Sequence, residues 1–400
     1  MSQVMQELYW DPFDTEIDAD PYPVWKRLRD EAPLYRNDRY DFWALSRFAD
    51  VEAAHKDYAT FSSAHGTVLE FMAEEPLVNK EMMIFTDPPK HTQLRSLASR
   101  AFTPRRVSQL EGRIREICAE LLDPRVGSSG FDFVQDFGAQ LPSMVISSLL
   151  GVPPDEREEV RKHIDQTFYI EPGVGMVNDV SLAAQIWMYE YLGKQLERRR
   201  TNPIDDMMSD LAHAEITDED GSVHRLTDEQ AIVFSNLLVS AGTETVARLL
   251  GFTAVVLAEH PDQRAELVAD ASLIPNAVEE LLRYESPSPV QGRWTMRDVE
   301  LHGEVVPKSS KVLLLTAAAN RDERKFPDPD RFDIHRKIDH HVAFGYGIHF
   351  CLGAALARLE GRVAIEETLK RFPEWDVDFS GAERLHTSTV RGWNKVPIRI

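Results

Sequence analysis

The stretch Phe344–Gly353 reads FGYGIHFCLG. It holds one of only two cysteines in 400 residues, together with three glycines. Immediately after it the chain becomes a plain helix former, AALARLEGRVAIEETLKRF. Gly345 and Gly347 allow backbone conformations closed to other residues and let a flat ligand come close. Cys351 stands just ahead of a helix whose N-terminal amides favour negative charge, which stabilises its thiolate. Phe344 and Phe350 are placed to shield that sulfur from water. A single thiolate so presented suits an axial ligand of haem iron. Two other readings fit the residues alone. Cys351 and His349 could serve as nucleophile and base, although neighbours two apart on a loop seldom aim at each other. Cys351 could equally be a small core residue.

The totals bound these readings. Four hundred residues make one large domain or two to three ordinary ones. No linker rich in Gly, Ser or Pro interrupts the chain and no repeat is visible, so a single domain over residues 1–400 is expected. The apolar fraction of 43% is enough for a substantial core. Two cysteines far apart, without CxxC, fit a reducing compartment, and the expected location is the cytoplasm. The opening MSQVMQELYWDPFDTEIDADPYPVW is acidic and broken by proline, so neither a signal peptide nor a membrane anchor is expected there. The most apolar region, Ala231 to Ala258, is interrupted by Glu244 and Arg248 and reads as a buried helix. A formal charge of −21 argues against nucleic-acid binding and reads as solubility.

Most of the middle has helical period. RRVSQLEGRIREICAELLD puts Val107, Leu110, Ile114, Ile117 and Leu121 on one stripe. AAQIWMYEYLGKQLERRR ends in the positive charges that suit a helix C-terminus. TDEQAIVFSNLLVSAG opens with Thr227 as N-cap and Gln230 at the capping-box position. Extended signals lie towards the ends, in YDFWALSRF, VELHGEVVPKSSKVLLLTAA and LHTSTVRGWNKVPIRI.

FGYGIHFCLGAALARLE resembles the haem-binding loop of the cytochrome P450 family, the haem-thiolate monooxygenases, at every signature position. The resemblance runs through nearly the whole chain, in the family's order, and is to the soluble bacterial branch. It implies the cytochrome P450 fold, mainly α with small β-sheets. It implies haem b (iron protoporphyrin IX) between the I helix and the Cys loop with its following L helix. Cys351 would be the axial thiolate and metal ligand, with Phe344, Gly345, Gly347 and Gly353 in the cofactor-binding loop. EELLRYESP resembles the Glu-x-x-Arg element, with Glu280 and Arg283 pairing on one helix face, and FPDPDRF the segment that supplies a third member, here Arg331. DPPKHTQLR resembles the start of the C helix, where His91 and Arg95 would reach haem propionates. A dianionic haem edge needs cationic partners, and Arg293 and His349 match the other two such positions.

LLVSAGTETVARLLG resembles the I helix. Gly242 weakens it, and Thr245 can hydrogen-bond back one turn, which together would open the helix for dioxygen and a water. Glu244 and Thr245 match the catalytic acid–alcohol pair that delivers protons to dioxygen. Arg248 stands four residues after Glu244, so it either holds that carboxylate or points outward.

There is no GxGxxG after a strand and no GxxxxGK[ST]. By resemblance, electrons come from a ferredoxin fed by an NAD(P)H-dependent reductase and the protein is a monomer. Arg95, Arg100, Arg105, Arg106 and Arg113 cluster in sequence and either form a docking patch or a solvated charge run. The segments that would face substrate supply Val68, Leu69, Phe71, Met72, Phe168, Tyr169, Val239, Ala241, Val290 and Val390. This apolar lining points to a terpenoid, steroid, fatty acyl or alkyl-aromatic compound. The expected reaction is insertion of one atom of O2 into a C–H bond or double bond. A peroxide-using peroxygenase on the same fold and a non-catalytic haem-based sensor are the alternatives; the acid–alcohol pair argues against both.

Overall fold

The computed structural model describes residues 7–400 apart from 77, 102, 168, 170, 172–174, 176 and 218–220. Contacts divide the chain into two units. The first comprises Met1–Val78, Glu279–Cys351 and Arg384–Arg391, and the second Asn79–Val278, Leu352–Glu383 and Gly392–Ile400.

The first unit is built on a five-stranded sheet in the order Leu34–Asn37, Phe42–Leu45, Lys311–Leu314, Gln291–Thr295, Phe61–Ser62. Phe42–Leu45 and Lys311–Leu314 run parallel, with Val312 opposite Trp43, and the other pairs are antiparallel. The run VLLL is apolar throughout because both faces of its strand are covered. Period two sorts it: Leu313 and Leu315 join a cluster with Trp10, Trp25 and Phe42, while Val312 and Leu314 join Phe48, Val51 and Phe326. The expected YDFWALSRF strand and the strands at Val299–Leu301, Glu304–Val306 and Lys311–Leu314 all form.

Glu280 and Arg283 are buried in this unit, with Arg283 Nε 2.7 Å from Glu280 Oε2 and Nη2 2.8 Å from Oε1. The remaining guanidinium hydrogens go to the carbonyls of Asn320 at 3.0 Å and Pro329 at 2.8 Å. The third side chain on Glu280 is Arg336, whose Nε lies 3.1 Å from Oε1, and not the expected Arg331. Arg331 turns its guanidinium outward to Asp333 at 2.6 Å, two residues on, and offers the network only its carbonyl.

The second unit is helical around Asp228–Glu259, which runs 32 residues. Its predicted capping box is present, with Thr227 and Gln230 exchanging side-chain and backbone bonds. By length and composition this helix could cross a membrane, yet 72% of its most apolar window is buried against the unit's own helices. Those neighbours include Gln140–Leu149, Asp179–Thr201 and Ala354–Arg371. Glu111–Leu122 packs on Ala354–Arg371 through Ile114, Ile117, Cys118 and Leu122, so the stripe ends on Leu122 where the sequence suggested Leu121. Gly130–Asp132, Asp376–Val377 and Pro397–Arg399 form a small antiparallel sheet.

Candidate active site

In the first unit the cysteine loop rests on the C-terminal end of the helix Phe48–Lys56. Gly345 and Gly347 adopt φ of +67° and +69°, a region open to glycine. Gly347 is doubly constrained, because a Cβ there would come within 2.5 Å of the His55 carbonyl oxygen. Lys56 completes the seat, its ammonium 4.7 Å from the centre of the Tyr346 ring. Gly347–His349 makes a single 3-10 turn, and the Cys351 amide then donates to the Phe344 carbonyl at 2.9 Å. The Phe344 and Phe350 rings meet edge to face at 6.2 Å, but Phe350 is an exposed residue and gives less cover than its spacing suggested. Cys351 is half-buried. Cys118, in the second unit, is fully buried, and burial pushes its thiol up to about 12, so it is a core residue with no access to the thiolate.

Arg293 lies on the strand Gln291–Thr295, buried at 4% exposure. Its Nη1 donates to the Gly292 carbonyl at 2.7 Å and its Nη2 faces His55 Nδ1 at 3.3 Å. His349 is half-buried in the loop. In the second unit, His91 and Arg95 occupy successive turns of Lys90–Ala101. His91 is buried, and desolvation followed by the Arg95 cation pushes its imidazole down to about 4. Within the first unit a glycine-borne thiol, a buried guanidinium and a half-buried imidazole fit iron protoporphyrin IX, a ring with a soft metal and two carboxylates.

The second unit also carries the acid and the alcohol. Asp228–Glu259 runs through Gly242 without interruption, so the expected opening is not a break in the helix. Gly242 instead makes room for a packed neighbour, since a Cβ there would meet Ile146 Cδ1 at 2.7 Å. Thr245 Oγ1 donates back to the Ala241 carbonyl at 3.0 Å, as its position suggested. Arg248 turns inward. It is buried, and its Nε and Nη2 reach Glu244 Oε1 at 2.9 and 2.7 Å. Its Nη1 donates to the Trp393 carbonyl. Gly392 admits this arginine, because a Cβ on residue 392 would lie 2.8 Å from Arg248 Cβ and Cδ.

Of the proposed substrate-facing residues in the first unit, Leu69, Met72 and Val290 pack into the Trp10–Trp25 cluster, while Val68, Phe71 and Val390 are half-buried. In the second unit Val239 is buried, and Ala241 and Tyr169 are exposed. Phe168 lies outside the described residues. The basic cluster is less cationic than its sequence suggests. Arg106 pairs with Asp210, and Arg113 pairs with Glu116 at 3.0 Å and Glu120 at 2.8 Å. Arg105 is exposed, and the Arg100 side chain lies outside the described residues. The sequence reading missed His55, Arg336 and Gly392, whose roles depend on partners remote in the chain.

Residues 176–385 match the family model for cytochrome P450. A putative cytochrome P450 123 from Mycobacterium tuberculosis is 40% identical over 396 residues, covering 98% of this chain and 97% of its own. The vitamin D(3) 25-hydroxylase of Pseudonocardia autotrophica is 39% identical over 394 residues, covering 97% and 96%. A Bacillus megaterium cytochrome P450 solved in complex with corticosterone superimposes with a TM-score of 0.85 at 31% identity, over 96% of this chain and 99% of that one. A cysteine seated on glycines, an acid–alcohol pair on a long buried helix and full-length relatives agree: the chain belongs to the cytochrome P450 family, the haem-thiolate monooxygenases.

Proposed function

We propose that Cys351 is the axial thiolate, that His91, Arg95, Arg293 and His349 hold the haem carboxylates, and that residues 1–400 act as one domain. Phe344 and Gly353 belong to the same cofactor-binding loop. The substrate is an apolar organic molecule, and a steroid-like skeleton within the terpenoid and steroid class is the first choice. In support stand a relative named for hydroxylating vitamin D(3) and a neighbour solved with corticosterone. Val68, Phe71, Ala241 and Val390 supply apolar surface that is not spent on the core.

Haem supplies the activation of dioxygen when bound; the chain must deliver protons at the right place. Thr245 Oγ1 spends its own hydrogen on the Ala241 carbonyl, which leaves its lone pairs to accept from a water and hold it in place. Glu244 is held through Oε1 by Arg248, which leaves Oε2 to exchange a proton with that water. This pairing of an anchored acid with a water-orienting alcohol favours the monooxygenase reading over the peroxygenase, in which peroxide brings its own two protons, and over the sensor, which moves none. Electrons reach the haem from a ferredoxin and its NAD(P)H-dependent reductase. The protein works as a cytoplasmic monomer.

The test is coupling. Compounds that shift the haem spin state identify a substrate, and NADH consumption, product and peroxide are then measured together with ferredoxin and reductase. Thr245→Ala should keep NADH consumption while product per NADH falls roughly tenfold and peroxide rises. Parent-like coupling in Thr245→Ala would remove Thr245 from the relay.

A further inference from the structure

His55 lies in the last turn of the helix Phe48–Lys56, 3% exposed. Burial and the neighbouring Arg293 cation push it well below the ordinary imidazole range, so the ring is neutral. A neutral imidazole has one acceptor nitrogen and one N–H. Arg293 can only donate, and its Nη2 faces Nδ1 at 3.3 Å, so Nδ1 is the acceptor and the proton sits on Nε2. That N–H finds no hydrogen-bond partner among the described residues. Leaving it so would cost about 1–3 kcal/mol. The ring also lies at the cysteine loop. A Cβ on Gly345 would stand 3.7 Å from His55 Cε1 and 3.6 Å from Gln291 Oε1, in ordinary contact with both. The His55 carbonyl is the atom against which Gly347 closes. A buried donor beside a buried guanidinium, on the wall of the thiolate loop, is built for an acceptor that the protein does not itself provide.

We propose that His55 is a haem-binding residue, its Nδ1 orienting Arg293 and its Nε2–H donating to a haem propionate. The inference rests on the assignment of the Cys351 loop and Arg293 to the haem site. It adds a second neutral imidazole to the set, after His91, and it explains why a helix that carries no reacting group places a histidine in its last turn at the loop.

Ferric holoprotein is compared as parent, His55→Phe and His55→Gln. Haem loss is followed into excess apomyoglobin, and the propionate-bending band is followed by resonance Raman. His55→Phe fills the space without a donor and should lose haem roughly tenfold faster, the worth of one charge-assisted hydrogen bond, with the band shifted. His55→Gln keeps an N–H and should recover most of both. An unmoved band in His55→Phe, whatever its rate of haem loss, reduces His55 to packing and overturns the proposal. If His55→Phe fails to accumulate, nitrogen-15 NMR of the parent in its diamagnetic ferrous carbon monoxide form decides. The His55 ring must carry its proton on Nε2, and a proton on Nδ1 overturns the proposal. A parent without the red-shifted thiolate spectrum would instead refute the haem-site assignment itself, so the two failures are separable.

Discussion

Two glutamate–arginine pairs, each formed within one turn of a helix, have opposite designs. In the first unit Glu280 is wholly enclosed and both its oxygens are taken. Arg283 binds both, while Arg336 at 3.1 Å and the Asp333 amide at 3.0 Å add to Oε1. Arg283 is in turn fixed by two further carbonyls. In the second unit Glu244 is gripped through a single oxygen by a single arginine, and that arginine hangs from the Trp393 carbonyl. A saturated carboxylate cannot exchange a proton without dismantling its surroundings. A carboxylate held by one oxygen can. The number of donors on the acid thus separates a residue that specifies the fold from the one proposed to relay protons, although both read as helical ion pairs.

The strongest way to break this contrast is Arg283→Ala. It leaves Glu280 charged and enclosed, and should cost about 3–5 kcal/mol, seen as collapse of the holoprotein yield or of its melting temperature. A loss below about 1 kcal/mol would mean that the network is not scaffold.

A third glutamate sharpens the comparison. Glu360, on Ala354–Arg371, is buried, and its Oε1 has no hydrogen-bond partner among the described residues. Burial alone pushes its carboxyl from 4.5 up to about 8. Folded, it holds a proton that the unfolded chain has released, so its contribution to stability is full below pH 4.5 and is lost as the pH rises through about 8. Glu360→Gln should therefore match the parent at pH 4.5 and exceed it by roughly 1–3 kcal/mol near pH 8.5, measured by thermal unfolding. Equal pH slopes would place a cation or ordered water on the carboxyl.

At the working acid, Glu244→Gln should slow product formation roughly 10–100-fold. Because buried Arg248 loses its counter-charge while the amide keeps one acceptor, the unfolding free energy should also fall by about 1–3 kcal/mol. Arg248→Gln should shift the pH dependence of turnover, because the grip on Oε1 is altered while the relay is kept. The smallest effect separates two neighbouring arginines. Arg336→Ala should cost about 1.5–3 kcal/mol as a charged hydrogen bond is lost, and Arg331→Ala less than about 0.5. The reverse order would restore Arg331 to the network.

That last pair marks where the sequence stops being legible. The motif correctly brought Arg331 to the neighbourhood of Glu280, but the direction of its side chain was decided by Asp333, a carboxylate two residues on that competes for it. Local patterns were readable wherever the physics was local. The Thr227–Gln230 capping box, the Glu280–Arg283 pair and the Thr245 back-bond each lie within one helical turn, and each formed. The inward turn of Arg248 was not readable, because it depends on Trp393 and Gly392. His55 gave no signal at all. It lies near the end of a short helix and gains meaning only when Gly345, Gly347 and Arg293 are brought to it.

Gly392 has a consequence for how such chains diverge. It leaves no room for a methyl group beside Arg248, so the two positions are under one steric constraint. The clash reaches the Cβ of residue 248, which every residue but glycine carries, so replacing Arg248 alone does not open position 392. Across homologous lineages glycine at 392 should therefore persist whatever side chain grips the acid.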